Sequence, residues 1–395
     1  MLATKIYEEE EEIKQFPKRF WADVSSGAII FSDLARRVLT DFGCGVPEEE
    51  LELVDALVKC LRLGQYLLVI DNLESLLQSD RKWRSQFYED FFRAWLESGS
   101  GSKILVTTRE KPELRGFNYW LPLKGLKKEE GANLLKELGI QGEREAFAEL
   151  VDGHPLLLKI VADLIKDEYP QDPSLERLAN LGLGNLRELL TDPRVVGQHR
   201  RENVGMVLVL DASFERLTDW QKIWLQNVSV YRGTFDWEAA MAVFPQPSES
   251  YPLPAERREV EQELRKLLKR SLLEEKLNHN GQFAFQPVVL EYCRYKAGDQ
   301  TEAHRQAIDY YDSKVKEQPW QTIDDLKEYL EIFYHRCQLG EYDSAFDAIR
   351  TCNDFLTLRG YYAVRVELYG QLVAAWQQTD ARKNWKYQAS LISLG

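Results

Sequence analysis

Residues 66–74 read Tyr-Leu-Leu-Val-Ile-Asp-Asn-Leu-Glu, a short apolar run that ends in an acid at Asp71. An unbroken run of this length, rich in Leu, Val and Ile, indicates a strand buried on both faces, as in parallel α/β sheets. A second such run, Lys103 to Thr108, ends in Arg109. Because ligands bind at the carboxyl edge of such sheets, the two runs predict Asp71 near a phosphate-bound Mg²⁺ and Arg109 near a phosphate oxygen. The alternative is that the two side chains pair with each other or cap helices.

Length and charge limit the classes of protein to consider. At 395 residues the chain can hold about two to four domains. A formal net charge of -13 argues against a surface dedicated to nucleic acid or to an anionic membrane. No apolar run approaches the roughly 20 residues of a membrane helix, and the acidic N-terminus lacks the apolar core of a signal peptide. We therefore predict a cytoplasmic protein that does not bind membranes.

The cysteines lead to the same prediction. Their number is odd, they include no CxxC pair, and they are scattered along the chain at Cys44, Cys60, Cys293, Cys337 and Cys352. This pattern favours reduced thiols over a disulfide framework or a zinc site.

The sequence pattern changes along the chain. Strand and helix patterns alternate to about residue 124, and one of the predicted strands is Arg19 to Ser25. Such alternation predicts a βαβ sheet. From about Gly125 the strand patterns stop, and the helices predicted there include one at Leu175 to Leu190.

The second half of the chain adds two further patterns. Several helices, one of them the charged helix Glu256 to Arg270, precede the dipeptide Asn280-Gly281. This dipeptide lies between two apolar runs and predicts a hairpin. Helices followed by a hairpin are the order of a winged helix. From Asp299 onward only helix patterns remain, joined by short loops, as in helical repeats.

Five motifs in this order resemble those of NB-ARC/AP-ATPase proteins, members of the STAND class of signalling NTPases, of the bacterial type with a tetratricopeptide-like tail. The run ending at Asp71 resembles the Walker B strand, whose acid holds Mg²⁺ through water. The run ending at Arg109 resembles the sensor strand, whose arginine approaches the γ-phosphate. Gly153-His154-Pro155 resembles the GxP signature, whose proline packs against the nucleotide. The other two matches are Leu123 to Leu135, with the helical subdomain, and Leu217 to Phe244, with the winged helix.

This resemblance implies a fold class and four domains. It predicts an N-terminally truncated α/β nucleotide-binding sheet, then an all-α subdomain, a winged helix and a helical-repeat region. The predicted domains are residues 1–124 (the sheet), 125–192 (ARC1-like), 193–297 (ARC2-like) and 298–395 (tetratricopeptide-like).

Three departures from the family pattern concern the phosphates. The sequence has no GxxxxGK[ST] loop, which would supply backbone N–H groups and a lysine to phosphates and which the family places just before Leu2. Asn72 stands where a second acid often follows, and an amide cannot act as a general base. Glu74 is the candidate substitute. Gln286 replaces the histidine of the MHD signature, so it can donate a hydrogen bond but carries no charge.

The resemblance implies an ADP- or ATP-binding signal-transduction switch with Mg²⁺. Its predicted nucleotide-binding residues are Asp71, Asn72, Arg109, Gly153, Pro155 and Gln286, with Mg²⁺ at Asp71. Because the phosphate loop is absent, we expect nucleotide binding to be weak and turnover to be slow at most. We also expect a folding liability, because the strand before that loop would be absent as well. A protein partner is expected at the C-terminal helices, and nucleotide-dependent homo-oligomers would fit the family. The alternatives are a non-catalytic interaction scaffold or remnant and, third, a DNA-binding regulator that uses the winged helix.

Overall fold

The computed structural model describes residues 2–8, 14–24, 30–78, 81–97, 101–114, 116, 119–191, 201–245, 256–275, 281–378 and 385–394. They form two compact units. The first, unit 1, comprises Met1–Trp120 and Ile308–Gly395, and the second, unit 2, comprises Leu121–Ala307. The four predicted domains are finer than this division and stay a prediction.

The sheet of unit 1 contains three parallel strands in the order β1-β2-β3. The N-terminal part of the unit contains α1 (Leu2–Glu8), β1 (Lys18–Asp23), α2 (Phe31–Phe42), α3 (Leu53–Leu63), β2 (Tyr66–Asp71), α4 (Gln86–Leu96) and β3 (Lys103–Val106). The central strand, β2, is flanked by β1 and β3 and is buried from Leu67 to Ile70, as its apolar run predicts. Among the described residues no strand pairs with the far edge of β3.

The helices next to the sheet bury one apolar face each. In α2 that face carries Phe31, Leu34, Val38 and Leu39, at the spacing of helical turns. Gly43 ends the helix in the left-handed region at φ 70°, where its N–H reaches the carbonyl groups of the last turn. These side chains share one core with apolar residues of α3, β2 and α4.

The C-terminal part of unit 1 is helical, as predicted. Its elements are α14 (Thr301–Asp312, which begins in unit 2), α15 (Lys327–Gln338), α16 (Tyr342–Leu358), α17 (Tyr362–Gln378) and α18 (Trp385–Leu394). Ile30, just before α2, packs against the core formed by Trp320, Leu356 and Tyr361. Arg36 of α2 donates to the carbonyl oxygens of residues 47 and 48 at 2.7 Å, and its guanidinium lies 5.9 Å from the ring of Tyr361. The two chain segments of unit 1 therefore share apolar contacts and a cation–π contact.

Unit 2 is mainly helical, with one small hairpin. Its elements are α5 (Lys128–Glu137), α6 (Arg144–Leu150), α7 (Pro155–Glu168), α8 (Leu186–Thr191), α9 (Arg201–Phe214), α10 (Asp219–Val228), α11 (Trp237–Ala242), α12 (Arg257–Lys269), β4 (Glu274–Glu275), β5 (Phe283–Ala284) and α13 (Pro287–Ala297). The antiparallel pairing of β4 and β5 confirms the predicted hairpin, although residues 276–280 of its loop lie outside the described residues.

The predicted helix from Leu175 to Leu190 is wrong. A 3₁₀ turn occupies Leu175–Ala179, and the α-helical part begins only at Leu186. Between them Gly182 adopts φ 77°, a left-handed conformation that ends a helix. The apolar periodicity is real, since Leu175, Leu181, Leu183, Leu186 and Leu190 are all buried, but glycine interrupts the backbone.

The prediction of five reduced thiols is also wrong. A disulfide joins Cys44 to Cys60, with 6.1 Å between their Cα atoms. Packing of α2 against α3 brings these residues within bridging range. No spacing motif in the sequence indicates this pair, because it is the tertiary packing that brings the two cysteines together. No helix in the described part of the chain is both long and apolar enough to cross a membrane.

His304 of α14 makes stability depend on pH. Burial, and secondarily the nearby Arg294 guanidinium, lower the pKa of the imidazole from 6.5 to about 4. Protonation therefore favours the unfolded chain. The contribution of the neutral His304 side chain to the free energy of unfolding is complete above about pH 6.5, and it is lost as the pH falls towards 4. We expect the free energy of unfolding to fall by about 1 kcal/mol between about pH 7 and pH 5, allowing for solvent screening. Urea titrations of the wild type and His304→Gln measure this difference. An unchanged pH profile in the variant would contradict it.

Candidate functional site

Three parallel strands bring polar side chains to one edge of the sheet. Asp23 ends β1, Asp71 ends β2, and these two residues are paired in the strand register. Thr107 directly follows β3, and its backbone N–H donates to the carbonyl of Ile70 at 3.0 Å. Asp71 therefore lies between Asp23 and Thr107 at the carboxyl edge, where open α/β sheets bind ligands.

The Thr107 hydroxyl fixes this arrangement. It donates to a carboxylate oxygen of Asp71 and accepts the backbone N–H of Asn72 at 3.0 Å. The carbonyl of Thr107 also accepts the N–H of Leu73 at 3.0 Å. One threonine thus holds the acid and the turn that follows it, so the Asp71 carboxylate keeps one position at the edge.

Asn72 occupies a position with two constraints. Its backbone is left-handed, with φ 67° and ψ 46°, a region that Asn enters more readily than most residues. Its side-chain amide donates to a carboxylate oxygen of Asp23 at 3.2 Å. The carboxylate of a second acid at this position would lie as close to the Asp23 carboxylate as the amide does. The local geometry therefore explains why an amide is suitable here.

Replacing this amide by an acid should cost stability. We expect Asn72→Asp to lower the free energy of unfolding at neutral pH by about 1 to 3 kcal/mol, because a donor is lost and two carboxylates face each other. The matched control is the exchanged pair Asp23→Asn with Asn72→Asp, which restores one amide and one acid. Urea denaturation of the three proteins measures the effect. Equal losses in the single and the double variant would contradict the pairing.

Arg109 pairs with Glu74. Its Nε lies 3.5 Å from one Glu74 carboxylate oxygen, and its backbone N–H donates to the other oxygen at 3.3 Å. About half of the arginine side chain is exposed, so a ligand at this edge could reach the guanidinium. Glu74 is therefore a partner of Arg109, a role that the sequence did not predict.

Gly153, His154 and Pro155 shape the start of α7 in unit 2. Gly153 adopts φ 62°, and a Cβ there would lie 1.9 Å from the carbonyl oxygen of Leu126. The imidazole Nδ1 of His154 accepts the N–H of Leu157 at 3.4 Å as the N-cap, and Pro155 is the first helical residue. Glycine is required here by the backbone of Leu126, whether or not a ligand binds.

Gln286 lies immediately before α13, also in unit 2. Its side-chain amide donates to the carboxylate of Glu274 in β4. A phosphate at this position would have to share that donor with a carboxylate. The proposed phosphate contact therefore stays a prediction.

Asp23 and Thr107 are the site residues that the sequence analysis missed. Both follow from a signal already recognised, since each lies at the carboxyl end of a predicted parallel strand. Asp23 lies in the predicted strand Arg19 to Ser25, and Thr107 lies in the apolar run Lys103 to Thr108.

The carboxyl edge fits part of a nucleotide site. Mg²⁺ in phosphate sites commonly takes one or two carboxylates together with phosphate oxygens and water. Asp71 with the Thr107 hydroxyl matches that donor set, although the described residues contain no group of three His, Cys, Asp or Glu that could hold a metal by itself. Arg109 offers a guanidinium for a phosphate oxygen. The sequence offers no glycine-rich phosphate loop.

The described chain thus contains a parallel sheet with an acid and an arginine at its carboxyl edge, followed by helical segments. The family model of the NB-ARC domain matches residues 1–145. The N-terminal part of the chain is therefore similar to NB-ARC domains.

Two known proteins extend this comparison. The crystal structure of PH0952 from Pyrococcus horikoshii, a STAND protein (signal transduction ATPase with numerous domains) with a tetratricopeptide repeat sensor, superposes with a TM-score of 0.60. The match has 15% sequence identity and covers 97% of this chain and 53% of that one. The WD repeat-containing protein alr2800 of Nostoc sp. is 28% identical over 261 residues, 60% of this chain and 18% of its own length. The chain thus spans only part of each relative.

Proposed function

We propose that this chain is the core of a nucleotide-regulated signalling switch. ADP or ATP binds at the carboxyl edge of the sheet, with Mg²⁺ at Asp71 and a phosphate oxygen at Arg109. The C-terminal helices bind a protein partner. The observation that carries the proposal is the junction of β2 and β3, where Thr107 holds the Asp71 carboxylate beside the residues that position Arg109.

The two states of the switch differ in the nucleotide that they prefer. A ligand shifts a conformational equilibrium only by its difference in affinity for the two states. Glu74 provides a local source of such a difference, because Arg109 must divide its guanidinium between this carboxylate and a phosphate. Gly153, Pro155 and Gln286 are proposed as further nucleotide contacts.

Turnover is expected to be slow at most. Asn72 cannot take a proton from water, and the Glu74 carboxylate is engaged with Arg109. Residues 1–395 also contain no GxxxxGK[ST] motif, which in phosphate-binding loops supplies backbone N–H groups to the phosphates. The proposed role is therefore regulation by binding and not metabolic catalysis.

Equilibrium titration of the 395-residue chain with ADP and ATP, with and without Mg²⁺, tests the proposal. We expect dissociation constants weaker than micromolar, and weaker still in Asp71→Asn and Arg109→Gln. The control is Arg81→Gln, since Arg81 is an exposed arginine that contacts Glu113 at 4.0 Å, outside the site. Micromolar or tighter binding would contradict the predicted impairment. Identical binding in all variants, or none at millimolar nucleotide, would contradict the site.

A scaffold without nucleotide is the second candidate. Apolar side chains are exposed on the C-terminal helices, notably Leu358 at 86% and Ile392 at 79%, as a protein-binding surface would require. Loss of nucleotide binding together with an intact fold would favour this function. Sedimentation with and without nucleotide also tests whether a nucleotide-dependent homo-oligomer forms.

The helices α10 to α12 with the hairpin are proposed to form a winged helix. DNA recognition would need a basic face. On α12 the basic residues alternate with acids, and Arg257 contacts Glu261 at 2.6 Å while Lys266 contacts Glu263 at 2.5 Å. These pairs give DNA binding no support, and absence of retention on duplex DNA at low salt is the expected result.

A further inference from the structure

The disulfide between Cys44 and Cys60 joins the end of α2 to the last turn of α3. Cys44 follows Gly43, the residue that ends α2, and Cys60 lies in the buried face of α3. The pair is 16 residues apart in sequence. Neither residue belongs to the candidate nucleotide site, so the disulfide is a separate chemical feature of unit 1.

The backbone holds both cysteines in place without the covalent bond. The N–H of Cys44 donates to the carbonyl of Leu39 at 2.8 Å, and the N–H of Gly64 donates to the carbonyl of Cys60 at 3.1 Å. Cys60 belongs to the main core of the sheet, and Cys44 packs against it. The two thiols would therefore remain close after reduction, which makes closing the bond again an intramolecular reaction.

The two sulfur-bearing residues differ in access to solvent. Cys60 is 5% exposed, whereas Cys44 is half-buried. Cys44 is thus the residue that external reagents reach first.

The other three cysteines, Cys293, Cys337 and Cys352, lie outside the disulfide. Burial raises the pKa of the Cys293 thiol and of the Cys352 thiol to about 12, so both stay protonated at neutral pH. Cys337 is half-buried. Burial therefore sets Cys293 and Cys352 apart from Cys44, and the disulfide sets Cys44 and Cys60 apart from Cys337.

We propose that Cys44 and Cys60 form a redox modification site that exchanges with a low-molecular-weight thiol–disulfide couple such as glutathione. The Cys44 thiolate attacks glutathione disulfide, which forms a mixed disulfide and releases one glutathione thiolate. The Cys60 thiolate then attacks the Cys44 sulfur, closes the Cys44–Cys60 bond and releases the second glutathione thiolate. Two protein thiols are oxidised and one glutathione disulfide is reduced to two glutathiones. Reduction is the reverse sequence.

The bond is placed to act on the central strand. From Cys60 the chain runs through Gly64 directly into β2, and the ring of Tyr66 stacks on Phe42 with centroids 4.3 Å apart. Closing the bond ties the end of α2 to the segment that leads into β2. The proposal does not depend on nucleotide binding, and its tests contain no nucleotide.

Thiol counting on the whole chain tests the site directly. The protein is equilibrated in glutathione buffers of increasing oxidised fraction, quenched with acid, denatured and alkylated. We expect five alkylated cysteines in the reduced buffer and only the three free ones in the oxidised buffer, with Cys44 linked to Cys60 in peptide maps. Five alkylated cysteines in every buffer, a persistent glutathione adduct on Cys44, or a different pairing would overturn the proposal.

Urea denaturation of the oxidised and reduced wild type gives a second measurement. Closing a loop of this length should lower the unfolding equilibrium constant by about a hundredfold. Cys44→Ser should remove the difference between the two conditions, and Cys337→Ser should retain it. If a variant folds poorly, the comparison of the oxidised with the reduced wild-type protein still tests the proposal. Equal free energies of unfolding in the two buffers would overturn it.

Discussion

Replacing Gly153 by alanine should lower the free energy of unfolding by about 3 to 5 kcal/mol. The new Cβ would lie 1.9 Å from the Leu126 carbonyl oxygen and 2.7 Å from the Leu126 nitrogen, so backbone must move. The Leu126 N–H also donates to the Gly153 carbonyl at 2.9 Å, and that movement would weaken this bond. A left-handed conformation for alanine adds about 1 kcal/mol to the cost of overpacking.

Gly182→Ala is the matched control for this experiment. Gly182 adopts φ 77°, and a Cβ there would meet no atom within 4 Å. It should therefore show only the conformational cost of about 1 kcal/mol. Urea denaturation followed by circular dichroism compares the two variants. Similar losses would show that the close approach of Leu126 is not what requires glycine at position 153.

Replacing Trp224 by alanine should cost about 3 to 5 kcal/mol. The side chain is fully buried in α10, and its ring lies 5.3 Å from that of Phe244. The indole N–H donates to the Ala240 carbonyl at 2.7 Å. Truncation would leave both a cavity and a buried carbonyl without this donor.

Trp224→Phe and Trp385→Ala separate these contributions. The phenylalanine variant keeps much of the apolar volume but loses the donor, so it should lose less than the alanine variant. Trp385 is 58% exposed, and its removal should cost less than about 1 kcal/mol. A loss in Trp385→Ala as large as that in Trp224→Ala would contradict the packing described for α10.

The sheet could be predicted because its signal is local. Residues 67–70 form an apolar run between a half-buried tyrosine and an acid, and only a strand covered on both faces suits such a run. The helix Phe31–Phe42 likewise follows from local features, because its apolar spacing and the terminating Gly43 agree. These elements needed no knowledge of distant contacts.

The errors have two causes: one glycine signal inside a predicted helix was outweighed by the leucine spacing, and the other errors depended on tertiary contacts. Leucine spacing around Gly182 predicted one helix, but a single left-handed glycine divides the segment. Cys44 and Cys60 showed no motif, and only the packing of two helices brings them together. Sequence spacing also could not show that Glu74 contacts Arg109.

Part of the candidate site could be predicted and part could not. The parallel direction of the strands was enough to place Asp71 and Arg109 on one edge. The hydrogen bonds of Thr107 and the amide of Asn72 depend on side-chain directions at that edge. The roles of Gly153, Pro155 and Gln286 towards a nucleotide stay predictions.

Unit 1 is built from two chain segments, with residues 121–307 between them. During synthesis the first segment leaves the ribosome long before Trp320 and Tyr361, which pack with Ile30. The core around Ile30 can close only after the intervening residues have been made. The entropic cost of closing so long a loop rises only slowly with loop length. Contacts between residues so distant in sequence nevertheless form late, and they lower the folding rate. Until then Ile30 and its neighbours stay exposed, and the nascent chain is vulnerable to aggregation during that interval.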